Sequence, residues 1–284
     1  MNETVEKVLD VGGFQISYTD TGAPDGRVLF CVHGLLSNGR DYDFFARYMA
    51  GLGYRVISMD LPGRGKSDWF EDKTHYAPPF YIPYCLALIS HVTQGREFDF
   101  FGVSLGGIIG MSLHNFEGVN IERLIIVDVG AEIPANGLND VGALAKVSPV
   151  FDMREDAVLF LKDRCAVWNI QSDDIWAHLI RHNITPHDAG GYRMHYDPAI
   201  GAALPDENET IDLWDLWDSI KQPVLLIRGG QSVLLPQGIS AQMKARYQGQ
   251  KIDEIVFENC GHVPNLMEDN HLKVLRPWFQ HDKA

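Results

Sequence analysis

Short unbroken runs of apolar residues recur along the chain, each followed by a longer stretch that alternates polar and apolar positions more loosely. The runs at 14–20, 28–32, 54–59, 98–103, 122–128, 223–228 and 252–257 predict strands. Most are apolar at successive rather than alternate positions, as expected of strands covered on both faces of a mostly parallel sheet. The stretches at 41–51, 79–93, 105–115 and 238–247 are long enough for crossover helices, and 266–280 can close the fold. This alternation predicts a doubly wound α/β sheet with helices on both faces. No internal repeat or low-complexity tract interrupts it.

The rhythm breaks between the strands at 122 and 223. Val158, Leu161, Cys165 and Trp168 fall at helical spacing, as do Ile175, Leu179 and His182. Residues 132–220 are therefore expected to form a helical cap inserted between two parts of a core, 1–131 and 221–284. GGYRMHYDPAI, from Gly190, and LPDENET, from Leu204, read as loops. Trp168, Trp176, Trp214 and Trp217 are expected mainly to pack the cap, with one or two of them lining a substrate pocket.

Composition narrows the partners. The 284 residues are 45% apolar, enough for a substantial core, and carry a net charge of −14. That charge opposes binding to nucleic acid or to an anionic membrane and leaves small neutral ligands open. Cys31, Cys85, Cys165 and Cys260 have no paired spacing, and the start MNETVEKVLD lacks the apolar centre of a signal peptide. No apolar run approaches the roughly 18 residues needed to span a bilayer. The expectation is a soluble protein of the reducing cytoplasm, with no membrane partner and no particular oligomeric state implied.

Chemistry concentrates at strand ends. Gly102-Val103-Ser104-Leu105-Gly106 is a G-x-S-x-G pattern placed after a buried strand and before a helix. Glycines are needed there because the serine sits on a cramped turn that exposes Oγ and aims the next helix's N-terminus at it. LFCVHGLL puts His33-Gly34-Leu35 at another strand end, where the Leu35 N–H pairs with the Leu105 N–H as an oxyanion hole. His33 is expected to shape that loop rather than react. ENCGHVPNLMED places His262 after the last strand, so the general base follows the nucleophile in sequence.

The motifs HG at 33–34, MDLPGRGKSD at 59–68, GVSLGG at 102–107 and CGH at 260–262 look like the α/β-hydrolase superfamily, and the resemblance covers most of 27–131 and 221–281. DVGAEIP after a strand and YDPAI near the end of the cap resemble bacterial esterase-like members. The resemblance implies an eight-stranded core, a serine nucleophile, and neither cofactor nor metal. Serine at position 104 sets aside the aspartate-nucleophile branches.

In many relatives the acid that supports the histidine follows the strand equivalent to PVLLIRG. Here that loop offers Gln231, Ser232 and Val233, and no carboxylate. The substitute is one strand earlier: ERLIIVDVG buries Asp128 at the end of an apolar run, where an unpaired ion is costly and needs a partner. Some α/β hydrolases are similar in taking their acid from this strand. Glu132 is the reserve candidate, and Ser232 is a second hydrogen-bonding group for Asp128 or His262.

The reading is a carboxylesterase for small to medium acyl esters, acting through Ser104, His262 and Asp128. The same triad would serve a C–C bond hydrolase or a thioesterase. A cofactor-free lyase would need a further acid or base such as Asp197 or His195, and a ligand receptor with slow hydrolysis is the alternative outside enzymology.

Overall fold

Successive residues of the buried strands supply two different apolar cores, one on each face of the central sheet, in a computed structural model that describes residues 3–168, 170–204 and 209–280. In chain order, Thr4–Val11 (β1) and Phe14–Thr21 (β2) form a hairpin, followed by Arg27–Val32 (β3), helix Asp43–Ala50 (α1) and Tyr54–Met59 (β4). Pro78–Thr93 (α2), Phe98–Val103 (β5), Leu105–Leu113 (α3) and Ile121–Val127 (β6) come next. An insertion then contains Glu132–Ile133 (β7), Ala135–Lys146 (α4), Arg154–Arg164 (α5), Asp173–Asn183 (α6), Ile184–Pro186 (β8), Tyr192–Met194 (β9), Ile211–Asp212 (β10) and Trp214–Ser219 (α7). The main sheet resumes with Val224–Gly229 (β11), Gln237–Arg246 (α8), Ile252–Phe257 (β12) and Asp269–Phe279 (α9).

The main sheet has eight strands in the order β1-β2-β4-β3-β5-β6-β11-β12. Only the β1–β2 and β2–β4 pairs are antiparallel. Leu29, Cys31, Phe101, Ile125, Leu225 and Ile227 pack with Phe45 and Met49 of α1 and Leu272 and Leu275 of α9. Their sequence neighbours Val28, Phe30, Phe100, Leu124, Ile126 and Leu226 pack instead with α2, α3 and α8. This is why the strands read as continuous apolar runs: both faces are covered.

The pattern does not predict β1, whose side chains are mostly exposed because it is the antiparallel edge of the sheet. The stretch expected to be a loop from Gly190 is also partly regular. Tyr192–Met194 pairs with Ile184–Pro186, and Pro198–Ala203 is a 3-10 helix capped by Asp197. Of the second expected loop, residues 205–208 lie outside the described residues.

β7 and β10 pair with each other, so the insertion leaves and rejoins the core at one neck, reinforced by Leu213 N–H donating to Ala131 C=O at 2.7 Å. Its buried Leu161, Ile175 and Met194 belong to the same apolar cluster as α2, α3 and α8. Among the described residues, no helix is long and apolar enough to cross a membrane.

Candidate active site

Three side chains from the ends of β5, β6 and the loop after β12 meet in one hydrogen-bonded line. Ser104 follows β5 with φ 52° and ψ −113°, a conformation that L-residues avoid. The turn closes because its flanking positions have no side chain. A Cβ on Gly102 would lie 2.3 Å from the Gly106 carbonyl oxygen, and one on Gly106 would lie 2.0 Å from that of Val32. Ser104 N–H donates to Val127 C=O at 2.8 Å, while Ser104 C=O accepts from the Gly107 and Ile108 amides and starts α3.

His262 Nε2 lies 3.1 Å from Ser104 Oγ, and His262 Nδ1 lies 3.0 Å from Asp128 Oδ2. Asp128 has no exposed surface and also takes a positive φ, 57°. Its Oδ1 accepts from Gly229 N–H at 3.1 Å. The loop after β11 thus contributes a backbone donor to the carboxylate where a side-chain acid was sought. Gly229 is required there, since a Cβ would come within 2.1 Å of the Gly261 carbonyl oxygen beside His262. Gln231 N–H further ties this loop to Cys260 C=O at 2.9 Å.

The expected hydrogen bond from Ser232 to Asp128 or His262 does not form. Ser232 Oγ accepts from the amides of Leu234 and Leu235, both at 3.2 Å, and so shapes its own turn. Glu132 is turned to Trp214, whose indole N–H lies 3.4 Å from its carboxylate. Asp197 accepts from Tyr76 Oη at 2.6 Å and Lys73 Nζ at 2.7 Å, and His195 borders a separate polar cleft with Glu6, Asp60 and Lys66. Neither lines the cavity beside Ser104.

The Gly34–Leu35 loop packs on the serine: a Cβ on Gly34 would stand 3.7 Å from Ser104 Cβ. His33 is buried beneath it. Its Nε2 accepts from Leu61 N–H at 3.0 Å, so Nδ1 carries the proton and donates to Gly34 C=O at 2.7 Å. Burial, aided by the nearby Arg64 charge, lowers its pKa to about 3, so it stays neutral. Arg64, fully buried, donates from Nε to Leu35 C=O at 3.0 Å and from Nη1 to Tyr81 Oη at 2.7 Å. Leu35 and Leu105 thus flank Ser104, and among the described residues neither N–H donates to a backbone carbonyl.

A cavity of about 410 Å³ opens onto Ser104 and His262 and is walled by both the core and the insertion. Trp168 lines it. Trp176, Trp214 and Trp217 do not: Trp176 donates to Ile170 C=O, Trp214 lies under Arg246, and the fully buried Trp217 donates to Met243 C=O at 2.9 Å. The wall also holds Asp41 and Arg164, which no sequence motif marks, and Tyr196, the first residue of YDPAI. Burial raises the Asp41 pKa to about 6, partly offset by hydrogen bonds from Asn183 and Ser37. No thiol competes with Ser104 as a ready nucleophile, because burial pushes Cys85 and Cys165 to about 12 and burial with the Asp128 charge pushes Cys260 to about 11.

Comparison with known proteins places the whole chain among hydrolases. Residues 28–275 match the family model described as the alpha/beta hydrolase family. The 3-hydroxybutyrate-oligomer hydrolase of Cupriavidus necator is 30% identical over 97% of this chain and 96% of its own. An esterase of Mycobacterium tuberculosis is 27% identical over 92% of this chain and 85% of its own. A crystal structure from Rickettsia typhi superposes with a TM-score of 0.86 at 29% identity, covering 99% of both chains.

Proposed function

Since the chain belongs to the alpha/beta hydrolase family and is a carboxylic ester hydrolase, we propose that it acts as a serine carboxylesterase through an acyl-enzyme. Ser104 is the nucleophile, His262 the general base and then acid, and Asp128 the group that orients His262 and stabilises it when charged. The observation that carries this reading is the continuous pair of hydrogen bonds from Ser104 through both His262 nitrogens to Asp128.

His262 Nε2 takes the Ser104 proton as Oγ attacks the ester carbonyl. The amides of Leu35 and Leu105 then hold the oxyanion, and α3 directs its positive end toward it. His262 returns the proton to the leaving alcohol. Water, activated by the same nitrogen, releases the acid.

Residues 132–220 act as a cap, and the core is split into 1–131 and 221–284. A mainly apolar cavity of about 410 Å³ suits a small to medium acyl ester. The Cupriavidus relative's name makes oligoesters of short hydroxy acids the first natural candidates to assay. The four free cysteines favour a reducing compartment such as the cytoplasm.

The test is labelling with a fluorophosphonate together with turnover of a panel of esters, thioesters and hydroxybutyrate oligomers. Label should enter wild type and not Ser104→Ala, whose kcat should fall by about four to six orders of magnitude. Labelling that persists in Ser104→Ala overturns the assignment.

A further inference from the structure

We infer that Arg164 and Tyr196 form a carboxylate-binding subsite in the cavity beside Ser104, so that the preferred esters carry one free carboxylate at the end remote from the cleaved bond. This deepens the serine-esterase reading and rests on it for the identity of the scissile group.

Arg164 is the last residue of α5 and lines the cavity. Its guanidinium carbon stands 5.5 Å from the centre of the Phe160 ring and 5.6 Å from that of Tyr196. Nη1 donates to Tyr196 Oη at 2.6 Å. Two rings and a hydrogen bond therefore hold the group in one place, which lowers the entropy lost when it binds a ligand.

The held group is left without a counterion. Arg27, Arg40, Arg55, Arg123, Arg228 and Arg246 each pair with a carboxylate. Among the described residues, Arg164 has none within ion-pair distance, a state shared by Arg47, Arg64, Arg96, Arg154, Arg181, Arg193 and Arg276, but of these only Arg164 lines the cavity. One of its five N–H groups is used on Tyr196, and the others keep the fork geometry that matches a carboxylate. Tyr196, buried and accepting from Arg164, retains a hydroxyl proton to donate to the same ligand. A partly buried guanidinium without a counterion is costly, and a ligand carboxylate offsets that cost.

The other charges on the wall define how much anion fits. Asp140 and Asp163 are solvent-exposed, and Asp41 is held by Asn183 at 3.1 Å. These acids repel a doubly charged group more strongly than a singly charged one, which favours a monocarboxylate terminus over a phosphate. The remainder of the wall, including Leu36, Val141, Leu144 and Leu161, accepts an apolar spacer.

Half-esters of dicarboxylic acids with increasing chain length, each compared with its methyl-capped diester, test this. Wild type should favour the free carboxylate at the best-fitting length by about tenfold or more in kcat/KM, chiefly through KM. Arg164→Gln should abolish or reverse that preference in kcat/KM between free and capped esters. Arg164→Lys should retain part of it, and Tyr196→Phe should weaken it about three- to fivefold.

Calorimetric binding of the same half-esters to Ser104→Ala, with and without Arg164→Gln, reads the subsite without turnover. Affinity that falls at least tenfold on loss of Arg164 supports the subsite. Equal affinity overturns it, as does equal use of free and capped esters by wild type. Failure of the esterase reading would appear instead as lost turnover of every ester with this binding difference intact.

Discussion

Asp128 has both carboxylate oxygens engaged, one by His262 and one by the Gly229 amide, with no solvent to replace either partner. Asp128→Asn keeps the shape but offers an amide that can hold the wrong histidine tautomer. Its kcat should fall by about four orders of magnitude with little change in KM, measured on p-nitrophenyl butanoate. Asp41 gives a pH test. Its carboxyl is raised from 3.8 to about 6, so the folded chain binds a proton more tightly than the unfolded one. Stability from this group is therefore present at low pH and is lost as pH rises from about 4 to about 6. Asp41→Asn, which still accepts from Asn183, should match wild type near pH 4 and exceed it above pH 6 by about 1–2 kcal/mol, discounted for residual solvent contact, in thermal melts across that range. An unchanged difference across the range would exclude the linkage. The residues at strand ends were legible because a glycine-flanked serine, a lone acid after an apolar run and a Gly-His pair are local patterns. Arg164 and Asp41 were not, because they sit in helical or irregular segments where what they face depends on packing, and YDPAI marks Tyr196 without showing what it faces for the same reason.

At the scale of elements, the loop after β3 is held by the segment that follows β4. Arg64 from LPGRGKSD reaches Leu35 C=O, and the neighbouring backbone joins the insertion through Gly65 N–H to His195 C=O at 3.0 Å and Asp197 N–H to Gly63 C=O at 2.8 Å. Lysine cannot reproduce the three directed bonds of this guanidinium, to Leu35 C=O, Pro62 C=O and Tyr81 Oη. Arg64→Lys should lower kcat about tenfold or more on a neutral ester while leaving KM nearly unchanged, since in the proposed mechanism the loop's amide acts most as charge develops on the oxyanion. A proportionate rise in KM alone would assign Arg64 to substrate binding instead. Covered strands were readable from their apolar runs, whereas β1 was not, because an exposed edge strand has no buried face to mark it. The short ladder of β8 and β9 was also invisible, since three-residue strands carry too little periodicity to separate from a loop.

For the whole molecule, a net charge of −14 repels the very carboxylate esters that Arg164 is proposed to hold. The repulsion acts over the long approach and is screened by salt, while the partly buried guanidinium is screened less. Raising NaCl from about 10 to about 200 mM should thus increase kcat/KM for half-esters about two- to fivefold and leave neutral esters unchanged. A fall with salt would mean that local attraction dominates the encounter. The neck formed by β7 and β10 has a different kind of consequence. Because the insertion departs and returns side by side, it is a cartridge in the architecture: the polypeptide between Ile133 and Ile211 can be lengthened, shortened or exchanged without rethreading a strand of the main sheet. Lineages descended from such a chain can acquire new substrates by recombination at that neck, keeping the strained serine turn and its histidine as inherited parts.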